Sequence, residues 1–122
     1  SSTLLAVAIV IVMHLHFSGA CSPTSGPEKG YLKALAVHLD ESGAKFYGAS
    51  WCPHCQEQKW MFEASVKRLP YVECSPNGRG TPISSACQSA GVQQYPTWVI
   101  GGQRFTGILA PERLAELSGF KG

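Results

Sequence analysis

Ala44-Lys45-Phe46-Tyr47-Gly48-Ala49, continuing as Ser50-Trp51-Cys52-Pro53-His54-Cys55, decides how this chain folds. The first half reads as a short buried strand. Ser50 to Cys52 then turns into a helix that opens near Pro53, since proline suits the first helical turn, where its missing N–H costs nothing. The pattern extends this helix to about Leu69, with Trp60, Met61, Phe62, Val66 and Leu69 as core contacts. Two cysteines in a C-x-x-C pair therefore stand where a strand becomes a helix. The attacking species in disulfide exchange is the thiolate. At a helix N-terminus, free N–H groups and the macrodipole favour that anion, so Cys52 is the expected nucleophile. Cys55 follows one helical turn on. It is placed to close a disulfide and to resolve a mixed disulfide, and should be the more buried of the two. His54 reads either as a solvated helix residue or as a partial positive charge that stabilises the reduced pair and makes it more oxidising.

Working outward, Glu28 to Ser42 has helical spacing in Tyr31, Leu32, Leu35, Ala36 and Leu39, with Gly43 placed to stop it. Pro70 to Cys74 reads as a second strand, Ile83 to Ala90 as a short helix and Thr97 to Ile100 as a third strand. Gly101-Gly102 is a hairpin signal, with Gln103 to Thr106 returning. A last helix starts around Ala110 and ends at Gly119. Helices between the early strands imply parallel crossovers, and the closing hairpin adds an antiparallel edge. The expected fold class is α/β: a mixed four-stranded sheet with helices on both faces.

The chain has 122 residues, which suits one domain with an appendage, and its 44% hydrophobic content is enough for an ordinary core. A net charge of +2, with Lys and Arg scattered, gives no nucleic-acid footprint. Five cysteines are many for a reducing compartment and fit an oxidising one. Ser1 to Pro27 contains no Lys, Arg, Asp or Glu, and Leu4 to Met13 is uninterrupted apolar sequence. Residues 1–20 are expected to be a truncated transmembrane helix or membrane anchor; a signal peptide and a buried core helix are the rival readings. Ser22-Pro23-Thr24-Ser25-Gly26-Pro27 has linker composition, so the divisions expected are 1–20, a linker at 21–27 and a folded domain at 28–122. Cys21 falls in the linker as a free thiol, a lipid attachment site or a truncation artefact.

Tyr95-Pro96 lies between a helix and a strand and reads as a turn proline, trans or cis. A cis bond facing the cysteines would leave a neighbouring backbone group free to pair with an extended substrate. Trp51 is expected as a semi-exposed platform beside the cysteines, and Trp98 as core. A lone C-x-x-C also suits half a zinc site, which Cys74 and Cys87 would complete on paper. The helix-opening proline, the preceding strand and bulky Trp51 favour redox work, with no metal expected.

Trp51-Cys52-Pro53-His54-Cys55, followed by Tyr95-Pro96-Thr97 before a strand, resembles the thioredoxin superfamily. Within it the chain is similar to the thioredoxin-like domain fused to bacterial and plant homologues of vitamin K epoxide reductase. Gly43 to Ala49, Trp51 to Lys59, Tyr71 to Cys74 and Tyr95 to Trp98 carry this resemblance, which covers about Tyr31 to Phe120. It implies a cis Pro96 opposite the reactive pair, with Cys52, Pro53, His54, Cys55 and Pro96 at the catalytic centre and Trp51 and Tyr95 against substrate. It also implies a Cys74–Cys87 disulfide, favoured as a structural staple over a redox relay. Cysteine-containing exported proteins would be the substrates and a membrane vitamin K epoxide reductase-like domain the electron acceptor. No cofactor is expected in this domain, quinone being met only in the membrane domain. The implied location is membrane-tethered and facing an oxidising compartment, such as the bacterial periplasm or the thylakoid lumen.

Overall fold

Phe46 on the first strand lies between two aromatic rings, and this row organises the sheet. The computed structural model describes residues 26–122. Residues 31–122 form one compact unit. Strand β1 (Lys45–Gly48) pairs in parallel with β2 (Tyr71–Glu73) and antiparallel with β3 (Thr97–Ile100), which pairs antiparallel with β4 (Gln103–Thr106). The order is β2-β1-β3-β4. Register sets Phe46 opposite both Tyr71 and Trp98. Its ring meets Tyr71 edge-on at 5.0 Å and stacks on Trp98 at 4.7 Å. Such cross-strand aromatic pairs stabilise a sheet beyond their area burial.

Helix α1 (Gly26–Glu41) precedes β1, and its buried Leu35, Ala36 and Leu39 join Phe46, Trp98 and Leu114 in the main core. Gly43 ends it at φ 85°, where a side chain would be strained. Helix α2 (Pro53–Trp60) follows β1, α3 (Ser85–Ser89) follows β2, and α4 (Pro111–Ser118) closes the chain. Tyr47, the neighbour of Phe46 on the alternate side of β1, packs against a separate cluster of Cys74, Cys87 and Val92. The mixed sheet and its helices form an α/β thioredoxin-like fold.

Several boundaries differ from the sequence reading. The first helix begins at Gly26, inside the stretch read as linker. The second does not run to Leu69: it stops at Trp60, and a 3-10 helix follows at Glu63–Arg68. Glu63 takes φ 49° at the break, and Phe62 is fully buried. Trp60, expected in the core, is 72% exposed, because the chain turns there to send Phe62 inward instead. The third helix is also shorter, Ser85–Ser89. The apolar segment of residues 1–20 and Cys21 lie outside the described residues. Among the described residues no helix is long and apolar enough to cross a membrane.

Buried Gln58 fixes α2 to the sheet. Its Oε1 accepts hydrogen bonds from the Trp98 indole at 3.0 Å and the Leu109 amide at 2.8 Å, while its Nε2 donates to the Leu109 carbonyl at 2.8 Å. Gln58→Leu keeps the volume but strands these polar groups in the core. A loss of about 2–4 kcal/mol in urea unfolding is expected; a loss under about 0.5 kcal/mol would contradict this role.

Candidate redox site

Cys52 occupies the N-cap of α2 with extended backbone, φ −83° and ψ 120°. Its amide donates to the Ala49 carbonyl at 3.1 Å, and its own carbonyl accepts the first helical bond, from Gln56 at 3.2 Å. Strand, turn and helix are thereby locked in sequence, with the sulfur at the helix mouth. Cys52 is 7% exposed and Cys55 not at all, so only the first sulfur meets solvent. Neither is bridged. Pro53 and His54 are exposed on the first turn of α2.

The Tyr95–Pro96 peptide bond is cis, and Pro96 is fully buried. The Cys52 thiol points at the Tyr95 carbonyl, 3.8 Å away. Trp51 meets the Tyr95 ring edge-on at 5.8 Å and donates its indole N–H to Ser75 Oγ at 2.8 Å. The Arg79 guanidinium lies 4.5 Å from the Trp51 ring. Ser75 and Arg79 belong to the loop that Cys74 and Cys87 close through their disulfide. Trp51 is therefore half-buried and held from three sides. Trp51, Cys52, Cys55 and Tyr95, with buried Ala49, make one cluster; Cys74 and Cys87 sit in the neighbouring one, which Tyr95 also touches. Among the described residues no three His, Cys, Asp or Glu side chains gather as a metal set.

Behind the pair lies a group of residues to which the sequence reading gave no role. A Cβ on Gly48 would lie 2.9 Å from both Cys55 Sγ and Tyr71 Cε1, so the bare backbone of β1 is where thiol and phenol ring come together. The Tyr71 hydroxyl donates to Glu73 Oε1 at 2.8 Å. Glu73 Oε2 accepts the amides of Ser50 at 3.1 Å and Ser75 at 3.0 Å, tying the turn before Cys52 to the loop that holds Trp51. Lys59 Nζ sits 3.9 Å from the Tyr71 ring centroid. Helical spacing from Cys55 would have singled out Lys59; Tyr71 and Glu73 are joined to the site only through strand pairing.

Burial pushes the Cys55 thiol up to about 12, with the neighbouring Cys52 adding to the rise; a backbone hydrogen bond at Ala49 and the Lys59 charge oppose it. Burial, then the Glu73 carboxylate, raises Tyr71, and burial followed by the charge of Cys55 raises Tyr95. A raised thiol stays protonated, and hence unreactive, until the pH approaches its own value. In a Cys52→Ser variant, iodoacetamide labelling of Cys55 should therefore be slow at neutral pH. It should climb roughly tenfold per pH unit well into the alkaline range, as mass spectrometry would follow; a plateau below pH 9 would contradict the burial argument. Gly48→Ala should cost about 1–3 kcal/mol in urea unfolding, since thiol or ring must shift; an unchanged midpoint would mean that the contact is slack.

No family model matches the chain. It is similar to a protein of Arabidopsis thaliana named thiol-disulfide oxidoreductase LTO1, with 45% identity over 108 residues. The match takes in 86% of this chain but 28% of that protein, so the chain spans little more than a quarter of its relative's length. Over that stretch it is a homologue of a protein named for thiol–disulfide exchange.

Proposed function

We propose that this chain is a thiol–disulfide oxidoreductase domain that oxidises cysteines of exported proteins through Cys52 and Cys55. The electrons then pass to a membrane vitamin K epoxide reductase-like partner domain, where quinone is met. The 45% identity to a protein named as a thiol-disulfide oxidoreductase supports an oxidoreductase. The observation that carries the reading is the pairing of unequal sulfurs at the start of α2: Cys52 reaches solvent beside the Tyr95 carbonyl, while Cys55 is sealed one turn behind it.

The reaction uses this asymmetry. A client thiolate attacks Cys52 Sγ of the oxidised pair. The Cys52–Cys55 bond breaks as the client–Cys52 bond forms, and the electron pair leaves on Cys55 Sγ, which takes a proton. A second client thiolate then attacks the client sulfur of the mixed disulfide. The client leaves oxidised and the domain holds two thiols. In this reading the Tyr95 carbonyl, which lies 3.8 Å from the Cys52 sulfur, accepts a backbone N–H from an extended client, and Trp51, whose ring meets that of Tyr95, forms one wall of the approach. His54 adds charge at the helix mouth, which favours the reduced state. Cys74–Cys87 holds the loop that carries Ser75 and Arg79 and so serves the site as a staple.

Refolding of a reduced, disulfide-dependent client by the oxidised domain tests this. Cys52→Ser and Cys55→Ser, neither of which can hold the disulfide, should both abolish client oxidation, whereas Cys55→Ser mixed with a disulfide-bonded client should be attacked through Cys52 and trap a mixed disulfide seen on a non-reducing gel. Activity of Cys52→Ser equal to wild type would end the proposal. The reduction potential fixes direction: about −120 to −180 mV is expected for an oxidant or isomerase, whereas about −270 mV would make the domain a reductase.

A further inference from the structure

Lys59 is half-buried, yet among the described residues it forms no ion pair; the one such pair is Arg113 with Glu116 on α4. Its ammonium rests on the Tyr71 ring, 3.9 Å from the centroid. A cation held over an aromatic face is kept in place by the ring's electron-rich centre. Lys59 also stands four residues after Cys55, so both lie on one side of α2. Tyr71 itself adjoins the Cys55 sulfur over Gly48. The seat is braced, because the Tyr71 hydroxyl is bound by Glu73, whose other oxygen is bound by two backbone amides. Other ionisable groups near Cys55 are Cys52 on the same helix, Tyr95 before β3 and His54, exposed on the same helical turn. Glu73 is bound by these three donors, and Lys59 is the cation that rests on the Tyr71 ring.

We propose, building on the exchange reaction above, that Lys59 is a positioning residue for that reaction: seated on Tyr71, it holds positive charge near Cys55 and so speeds the opening of the Cys52–Cys55 disulfide. When an incoming thiolate bonds to Cys52 Sγ, the electron pair of the broken S–S bond collects on a sulfur shut off from water. Burial opposes that charge, and a fixed cation of opposite sign offsets it. Lys59 supplies the field; the proton that finally caps Cys55 comes from solvent.

The test uses the full chain, oxidised, and opened by excess dithiothreitol with acid quenching. Relative to wild type, Lys59→Met should open about tenfold more slowly, the scale set by one nearby charge, and Lys59→Glu more slowly still. Lys59→Arg should restore most of the rate. The order should persist in about 1 M KCl, where long-range attraction of the incoming thiolate is screened. Equal rates across the charge series, or an order that vanishes in salt, would overturn this inference. Thermal melting of each variant reports folding separately. A wild-type disulfide that dithiothreitol does not open would instead remove the exchange reaction itself.

Discussion

Residue 48 has no side chain, and the working end of the molecule is arranged around that gap. Helix α2 brings Cys55 down onto β1 there, and β2 brings Tyr71 to the same point. An added methyl group would contact both at 2.9 Å. Close packing makes such a point stiff, since an interior at crystal-like density has no slack to absorb an extra carbon. Because Cys55 is fixed there, the start of α2 and Cys52 are fixed as well, one turn away. Gln58 secures the other end of the same helix to Trp98 on β3 and to Leu109. The two sulfurs are thus held between a glycine and a buried amide.

The difference between the sulfurs follows from this placement rather than from their immediate neighbours in sequence. Both belong to one helix start, yet one faces the Tyr95 carbonyl at the surface and the other is shut against the sheet. Burial then disfavours charge on Cys55 and leaves Cys52 as the sulfur that solvent reaches. Exchange needs this division of labour. In the reaction proposed above, one sulfur is attacked and the other stays out of side reactions until the mixed disulfide has formed.

Much of the frame was legible in the sequence. The strand-turn-helix passage through Cys52 carries its own signals: a proline at the first helical turn, an apolar run before it and paired glycines at the later hairpin. The break after Trp60 carried none. Trp60, Met61 and Phe62 are consecutive apolar residues with no glycine or proline among them, so periodicity alone ran the helix onward. Burial of Phe62 decided otherwise and forced Glu63 to φ 49°, a tertiary demand that local pattern does not register. Nor could sequence join Tyr71 and Glu73 to the cysteines. They reach the site through the pairing of β2 with β1, and parallel register between strands is not written in either strand by itself.

Glu73 has a position that matters beyond its hydrogen bonds. It holds the Ser50 amide in the turn before the cysteines and the Ser75 amide after the disulfide-bonded Cys74. Ser75 in turn holds the Trp51 indole. One carboxylate thereby couples the turn that presents Cys52, the loop that fixes Trp51 and, through Tyr71, the seat of Lys59. The reactive pair therefore sits in a frame of polar contacts on one side and aromatic stacking on the other. The surface around Cys52 is thereby shaped by contacts within the fold itself, so in the exchange proposed above binding energy goes into the exchange step rather than into ordering the site.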